Sequence, residues 1–185
     1  LFAKGFRGNK TGIHQQSITR LMRILSAKAG GSDGKRFIEH YINCYGFVPL
    51  WVLSNDLTFG QVSHFYQLQK RSIQNRTCKA IAEGIGSNHR IMPQELLHAF
   101  SVLVEFRNIC AHDERLYCAK VGKSRDIGYY EMAKILSAIL PESEFNSFLA
   151  EVGTLFARSR DSLHVVTQKS LLRDMGFDAA GRTGI

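Results

Sequence analysis

The chain has only three prolines, no CxxC pair and no apolar run long enough to cross a bilayer. It also shows almost no alternation of β-branched with polar residues. Each shortage excludes something. So few prolines leave long stretches free to be helical, and the missing alternation argues against a sheet. A membrane span needs roughly 18 apolar residues in a row, so no membrane partner is expected. Nothing at the N-terminus reads as a signal peptide, and a cytoplasmic location is expected. The first residue is Leu1 rather than methionine, so a missing upstream piece is also expected.

Cys44, Cys78, Cys110 and Cys118 lack the spacing of a zinc site, and buried free thiols in a reducing compartment are expected. No cofactor is expected. "EGIG" and "GGSDG" are turn glycines without the strand and lysine of a phosphate loop. His14, His40, His64, His89, His98 and His164 show no partner arrangement and receive no role.

What the chain does have is charge of one sign in one half. Residues 1 to 90 hold 13 Lys and Arg against four Asp and Glu, a net of +9; residues 91 to 185 hold 11 against 12, a net of −1. A basic surface on an ordinary globular chain fits either a polyanion partner, most simply nucleic acid, or a surface kept soluble by charge. Lys70, Arg71, Arg76 and Lys79 form one candidate basic strip. Trp51, with Pro49 and Phe59, reads as a core staple rather than a base-stacking platform.

Apolar residues make up 44% of the 185 residues, enough for a real core. Their spacing predicts an all-α fold of about six or seven helices. Residues 1 to 12 read as a mobile basic lead-in, 13 to 178 as a helical domain and 179 to 185 as a tail. Helical spacing covers about 14–29, 37–45, 58–68, 73–84, 93–111, 130–140, 142–158 and 167–175. "PLWVLSND" reads as a turn, and residues 112 to 127 as a polar loop. The helix over 93–111 is expected to be central and largely buried.

That helix ends in "FRNICAHDERLY". At about 100° per residue, Leu96, Phe100, Leu103, Val104, Cys110 and Ala111 fall within about 60° of Arg107, which places a guanidinium inside an apolar stripe. Such a group must be paired in the core, snorkel to solvent, reach a cleft or meet another chain. His112 follows five residues later, at a helix end where the chain can turn back. Imidazole exchanges protons near neutral pH, and guanidinium grips phosphate oxygens while staying charged. The two suffice for cleaving RNA through its own 2′-hydroxyl, without a metal. His112, Asp113 and Glu114 are three adjacent residues that converge poorly on one ion, so no metal site is expected. Arg115, Lys120, Lys123 and Arg125 follow in the loop, as a solvated stretch or a phosphate-gripping rim.

An arginine, a polar residue and a histidine closing the helix, here Arg107, Asn108 and His112, resemble the motif of HEPN-superfamily ribonucleases. The wider text, "FIEHYINCYGFVPLWVLSNDLTFGQVSHFYQLQ", then "RNICAHDERLY", then "LLRDMGF", is similar in order to the Abi-like, or abortive-infection, family across residues 36 to 177. The resemblance implies an all-helical HEPN-like bundle and a metal-independent endoribonuclease of a bacterial phage-defence or toxin–antitoxin system. It implies catalytic roles for Arg107, Asn108 and His112, with Arg115 also matching. It further implies an RNA substrate, an antitoxin protein or RNA as a partner, and a homodimer whose two motifs build one composite site. Two positions depart from the family pattern: Asp113 stands where a second histidine is common, and Tyr117 where tryptophan is. Asp113 puts a negative charge beside the site, one expected to work against phosphate binding. Members also carry a further N-terminal helical region. The alternative reading is a non-catalytic HEPN-type module that binds RNA or a protein; a helical oligomerisation domain of a larger protein is the third.

Overall fold

A computed structural model describes residues 12–31, 33–86, 90–160 and 163–177; of these, the side chains of residues 13, 14, 160, 165 and 166 are not described. The expected lead-in, apart from Gly12, and the expected tail lie outside the described residues. Nine helices and no strand occur among the described residues, against the six or seven helices expected. Eight of them lie over the eight spans of helical spacing, and the ninth is a five-residue helix where a turn was expected. Pro49, extended at φ −62° and ψ 149°, precedes it and accepts the first amide bonds, from Val52 and Leu53. Among the described residues, one isolated antiparallel bridge, Val121 with Ile127, interrupts the helical pattern. No described helix is long and apolar enough to cross a membrane.

The chain divides into two compact units, Leu1–Arg76 and Thr77–Ile185. The first contains α1 (Gly12–Ala29), α2 (Arg36–Tyr45), α3 (Leu50–Ser54) and α4 (Phe59–Gln67); the boundary falls within α5 (Arg71–Gly84). Its core joins Leu21 and Leu25 of α1 to Ile38 of α2, Val52 and Leu53 of α3, and Leu68. Thr58 and Gln61 cap α4 reciprocally, each side chain taking the other's backbone N–H. Gly46 ends α2 in the left-handed conformation (φ 72°), which a glycine adopts without a Cβ penalty. One buried polar side chain is fully satisfied: Gln74 donates to the carbonyls of Tyr66 and Gln67 at 3.1 and 3.2 Å. Trp51 is no core staple. Its neighbours Val52 and Leu53 take the buried side of the short α3, which turns the indole outward.

The second unit holds α6 (Pro93–Ala111), α7 (Tyr129–Ile139), α8 (Glu142–Arg160) and α9 (Val165–Met175). Its core is Val102 and Phe106 of α6, Val121 of the loop that follows, Tyr129 and Met132 of α7, and Met175 of α9, backed by Phe148, Val152 and Phe156 of α8. Pro93 stands at the first turn of α6, where its missing N–H is no loss, and Glu95 reaches back to the amide of Met92. α6 is less buried than expected. Leu96, Ala99, Val102 and Phe106 line its buried face, while Leu97, Phe100, Leu103 and Val104 are half-buried. Three of the four thiols expected to be buried, Cys44, Cys110 and Cys118, are exposed; only Cys78 is inside.

Candidate active site

The buried face of α6 is centred on Ala99 and Phe106, about 90° round the helix from Arg107. Arg107 is therefore on the flank of the apolar stripe and not in its middle, and it is exposed. The sequence pattern misplaced it because Phe100, Leu103 and Val104 are apolar yet only half-buried, which drew the apparent stripe toward the arginine. No core pairing is needed. Instead Arg107 Nη1 donates to Asn108 Oδ1 at 3.0 Å, a bond between adjacent side chains that holds the guanidinium at the last turn of α6.

His112 is the residue that closes α6. Its backbone leaves helical geometry (φ −109°, ψ 17°), and its amide donates to the carbonyls of Asn108 and Ile109. Asp113 then takes φ 55°, and the amide of Glu114 reaches back to the Ile109 carbonyl at 3.1 Å, the six-residue closure that ends helices on a left-handed residue. That geometry bears on the departure at position 113. Aspartate and histidine are both among the few non-glycine side chains enriched in left-handed backbone, so the turn accommodates either. His112 and Asp113 are both exposed. Among the described residues, no hydrogen bond or ion pair joins Arg107, His112 and Asp113 to one another.

The loop after the motif is ordered from within. Val121 and Ile127 exchange backbone bonds at 3.0 and 3.3 Å, and the Gly122 amide donates to Glu105 Oε2 of α6 at 3.2 Å. Sequence reasoning missed this anchor, which a carboxylate two residues before the motif arginine did not announce. Glu105 lies about 160° round α6 from Arg107, so the loop is tied down on the far side of the helix. Arg115, Lys120, Lys123 and Arg125 are all exposed along it, and Arg125 also has a positive φ of 50°.

Burial raises the Tyr129 hydroxyl above its ordinary pKa, with the nearby Cys110 adding to the effect. A groove of about 390 Å³ between α6 and α7 is lined by Leu96, Ala99, Ile127, Ile135 and Ile139. It lies eight or more residues up α6 from Arg107, at least about 12 Å along the axis, and is separate from the Arg107–His112 end. Among the described residues, no three His, Cys, Asp or Glu side chains gather as a metal site would require.

A family model described as Abi-like protein matches residues 2–118. The chain belongs to the Abi-like family. No curated protein and no solved structure matches it. The family match runs from the beginning of the chain through α6 and takes in Arg107, Asn108, His112 and Arg115. It differs in extent from the expected resemblance over 36 to 177: it starts earlier and stops at Cys118. In this Abi-like protein, Lys120, Lys123 and Arg125, the "LLRDMGF" segment and α7 to α9 all fall beyond the match.

Proposed function

We propose that this Abi-like protein is a metal-independent endoribonuclease of HEPN type, serving bacterial abortive infection or acting as the toxin of a toxin–antitoxin pair. The observation that carries the reading is the end of α6. An exposed guanidinium is steered by a neighbouring amide, and an exposed imidazole stands on the residue that closes the same helix, all within the family match.

The chemistry uses the RNA's own nucleophile. A neutral imidazole takes the proton from the 2′-hydroxyl, and O2′ attacks the adjacent phosphorus in line with the P–O5′ bond. Charge builds on the non-bridging oxygens of the pentacoordinate state, where Arg107 binds through two N–H groups. The P–O5′ bond breaks, and a protonated imidazole gives its proton to O5′. A 2′,3′-cyclic phosphate and a 5′-hydroxyl result. DNA lacks the attacking group and is spared.

One chain supplies one motif histidine, whereas the reaction needs a base and an acid. Two chains about a two-fold axis supply both, together with two copies of Arg107. The flank of α6 beside Arg107 suits such a mate: Leu97, Phe100 and Val104 are apolar and half-buried, and they fall within about 80° of the arginine. Arg115 and the loop cations Lys120, Lys123 and Arg125 extend the grip on phosphates, and an antitoxin, protein or RNA, silences the site by covering it.

Purified protein incubated with labelled RNA in excess EDTA tests the proposal. Wild type should cleave and His112→Ala should not. RNA bound tightly but left whole by both would mark a non-catalytic RNA-binding module instead.

A further inference from the structure

The first unit carries a surface that the cleavage chemistry does not use. Tyr45, Phe47 and Trp51 are 61, 63 and 65% exposed, and Phe37 joins them at 39%. Aromatic side chains are among the largest contributors to burial energetics, so four exposed within 15 residues mark a surface with a use. We infer that Phe37, Tyr45, Phe47 and Trp51 form a platform on which the unpaired bases of single-stranded RNA stack. This inference rests on RNA being the substrate and names the form in which it is held.

Two of the rings, Tyr45 and Trp51, are fixed from below. Half-buried Tyr41 touches Tyr45 at 5.4 Å between centroids and meets Trp51 edge-on at 5.8 Å. Under them, Ile38, Val52 and Leu53 are locked in the core of the first unit. Ser54 and Asn55 donate to the Trp51 carbonyl, closing the short α3. The indole therefore stands on a rigid base with its ring in solvent, so little ordering cost accompanies stacking.

Charge separates RNA from a protein partner. Residues 1 to 76 hold 11 Lys and Arg against three Asp and Glu, a net of +8, whereas residues 77 to 185 balance at 13 against 13. The entire net charge of the chain belongs to the unit that carries the platform. Along α2 the two chemistries interleave. Arg36, His40 and Cys44 make one four-residue row, and Phe37, Tyr41 and Tyr45 make the row beside it. His40 touches the rings of Tyr41 and Tyr45 at 5.7 and 6.2 Å. Exposed Lys35 and Arg36 enter no ion pair among the described residues and are free to meet phosphates. Aromatic faces beside cations are the pattern of single-strand binding, because every base offers a π-face whatever its identity. A duplex keeps its base faces stacked and offers none.

Trp51 is the single tryptophan of the chain, so its fluorescence reports the platform directly. The probe is a single-stranded RNA of about 12 nucleotides, titrated into the His112→Ala protein beside a duplex of the same length, with end-labelled RNA giving affinity by anisotropy. The single strand should quench Trp51 and the duplex should not. Trp51→Ala should weaken single-strand binding by roughly 5- to 100-fold, and Trp51→Phe, which keeps a ring, should restore most of it. Removing Lys35 or Arg36 should instead flatten the salt dependence, by about 0.7 per phosphate contact. Absence of quenching at saturation, equal quenching by duplex, or wild-type affinity in Trp51→Ala would each overturn the platform. So would failure of any RNA to bind, or quenching that tracks self-association. Cleavage by the wild-type protein is read separately on the same RNA. Quenching without cleavage sinks the ribonuclease and leaves the platform, while cleavage without quenching does the reverse.

Discussion

Arg107 Nη1 and Asn108 Oδ1 lie 3.0 Å apart, so two adjacent side chains at the end of α6 behave as one unit. The amide leaves the guanidinium its full positive charge and most of its donors while restricting where they point. Arg107→Ala should lower kcat/KM for RNA cleavage by about 10² to 10³, the usual loss for one electrostatic donor at a transition state. Asn108→Ala should cost less, since the arginine remains and only its aim is lost. Asn108→Asp should cost more than Asn108→Ala, because a carboxylate there would hold Arg107 in an ion pair and repel phosphate. Cleavage rates of the three variants check the order.

Dimerisation is expected through the flank of α6 that carries Val104, half-buried and one turn before Arg107. Val104→Asp should leave the helical circular dichroism signal intact, turn a dimer into a monomer by light scattering, and abolish cleavage. A monomeric variant with full activity would show that one chain holds the whole site.

Asp113 adopts φ 55°, left-handed backbone that aspartate enters more readily than most L-residues but less freely than glycine. Asp113→Gly should therefore raise the unfolding free energy, by about 1 kcal/mol or less once the added freedom of the unfolded chain is counted. Asp113→Val should lower it and disturb the turn that presents His112. Denaturant titration measures both.

Lys28 bridges Asp33 at 3.1 Å and Asp56 at 2.8 Å, the latter 8% exposed. The hydrogen bond to Asp56 is the main cause that holds Lys28 above its ordinary pKa of 10.5. A lysine raised on folding contributes stability that is whole below pH 10.5 and fades as pH climbs through the folded value. The buried Tyr129 hydroxyl, also raised, adds a loss of the same sign in alkali. The contribution of Lys28 is thus the difference between wild type and Lys28→Met. That variant should be less stable by about 2–3 kcal/mol at neutral pH, somewhat under the value for a fully buried pair, and the gap should narrow above pH 10.5. Unfolding curves across that range supply the comparison.

Much of the fold was legible because its signals are local. Thr58 with Gln61, Pro93 with Glu95, and the glycines at 46 and 176 bound their helices where capping chemistry places them. The five-residue α3 was not legible, since one and a half turns leave too few positions to show a period, and Pro49 reads equally as turn or helix start. Trp51 was misplaced for a related reason. Large apolar side chains are assigned inward by default, and only the packing of Val52 and Leu53 reveals which side of a short helix is buried. The motif was visible as spacing, but its geometry was not. Periodicity averages over a helix, so it put Arg107 at the centre of a stripe whose buried side is set by what packs on Val102 and Phe106. The positive φ at Asp113 leaves no mark in the pattern either, because aspartate is common in ordinary loops.

The central claim is that the attacking group belongs to the RNA. It is tested most directly with an RNA carrying one 2′-deoxyribose at the preferred cleavage position, incubated with wild-type protein in excess EDTA, with product ends read by mass spectrometry. The all-ribose strand should be cut to a 2′,3′-cyclic phosphate and a 5′-hydroxyl. The substituted strand should survive at that position, and His112→Ala should lose about 10² to 10⁴ in rate on the all-ribose strand. Cleavage at the deoxyribose position, or activity abolished by EDTA and restored by Mg²⁺, would contradict the account.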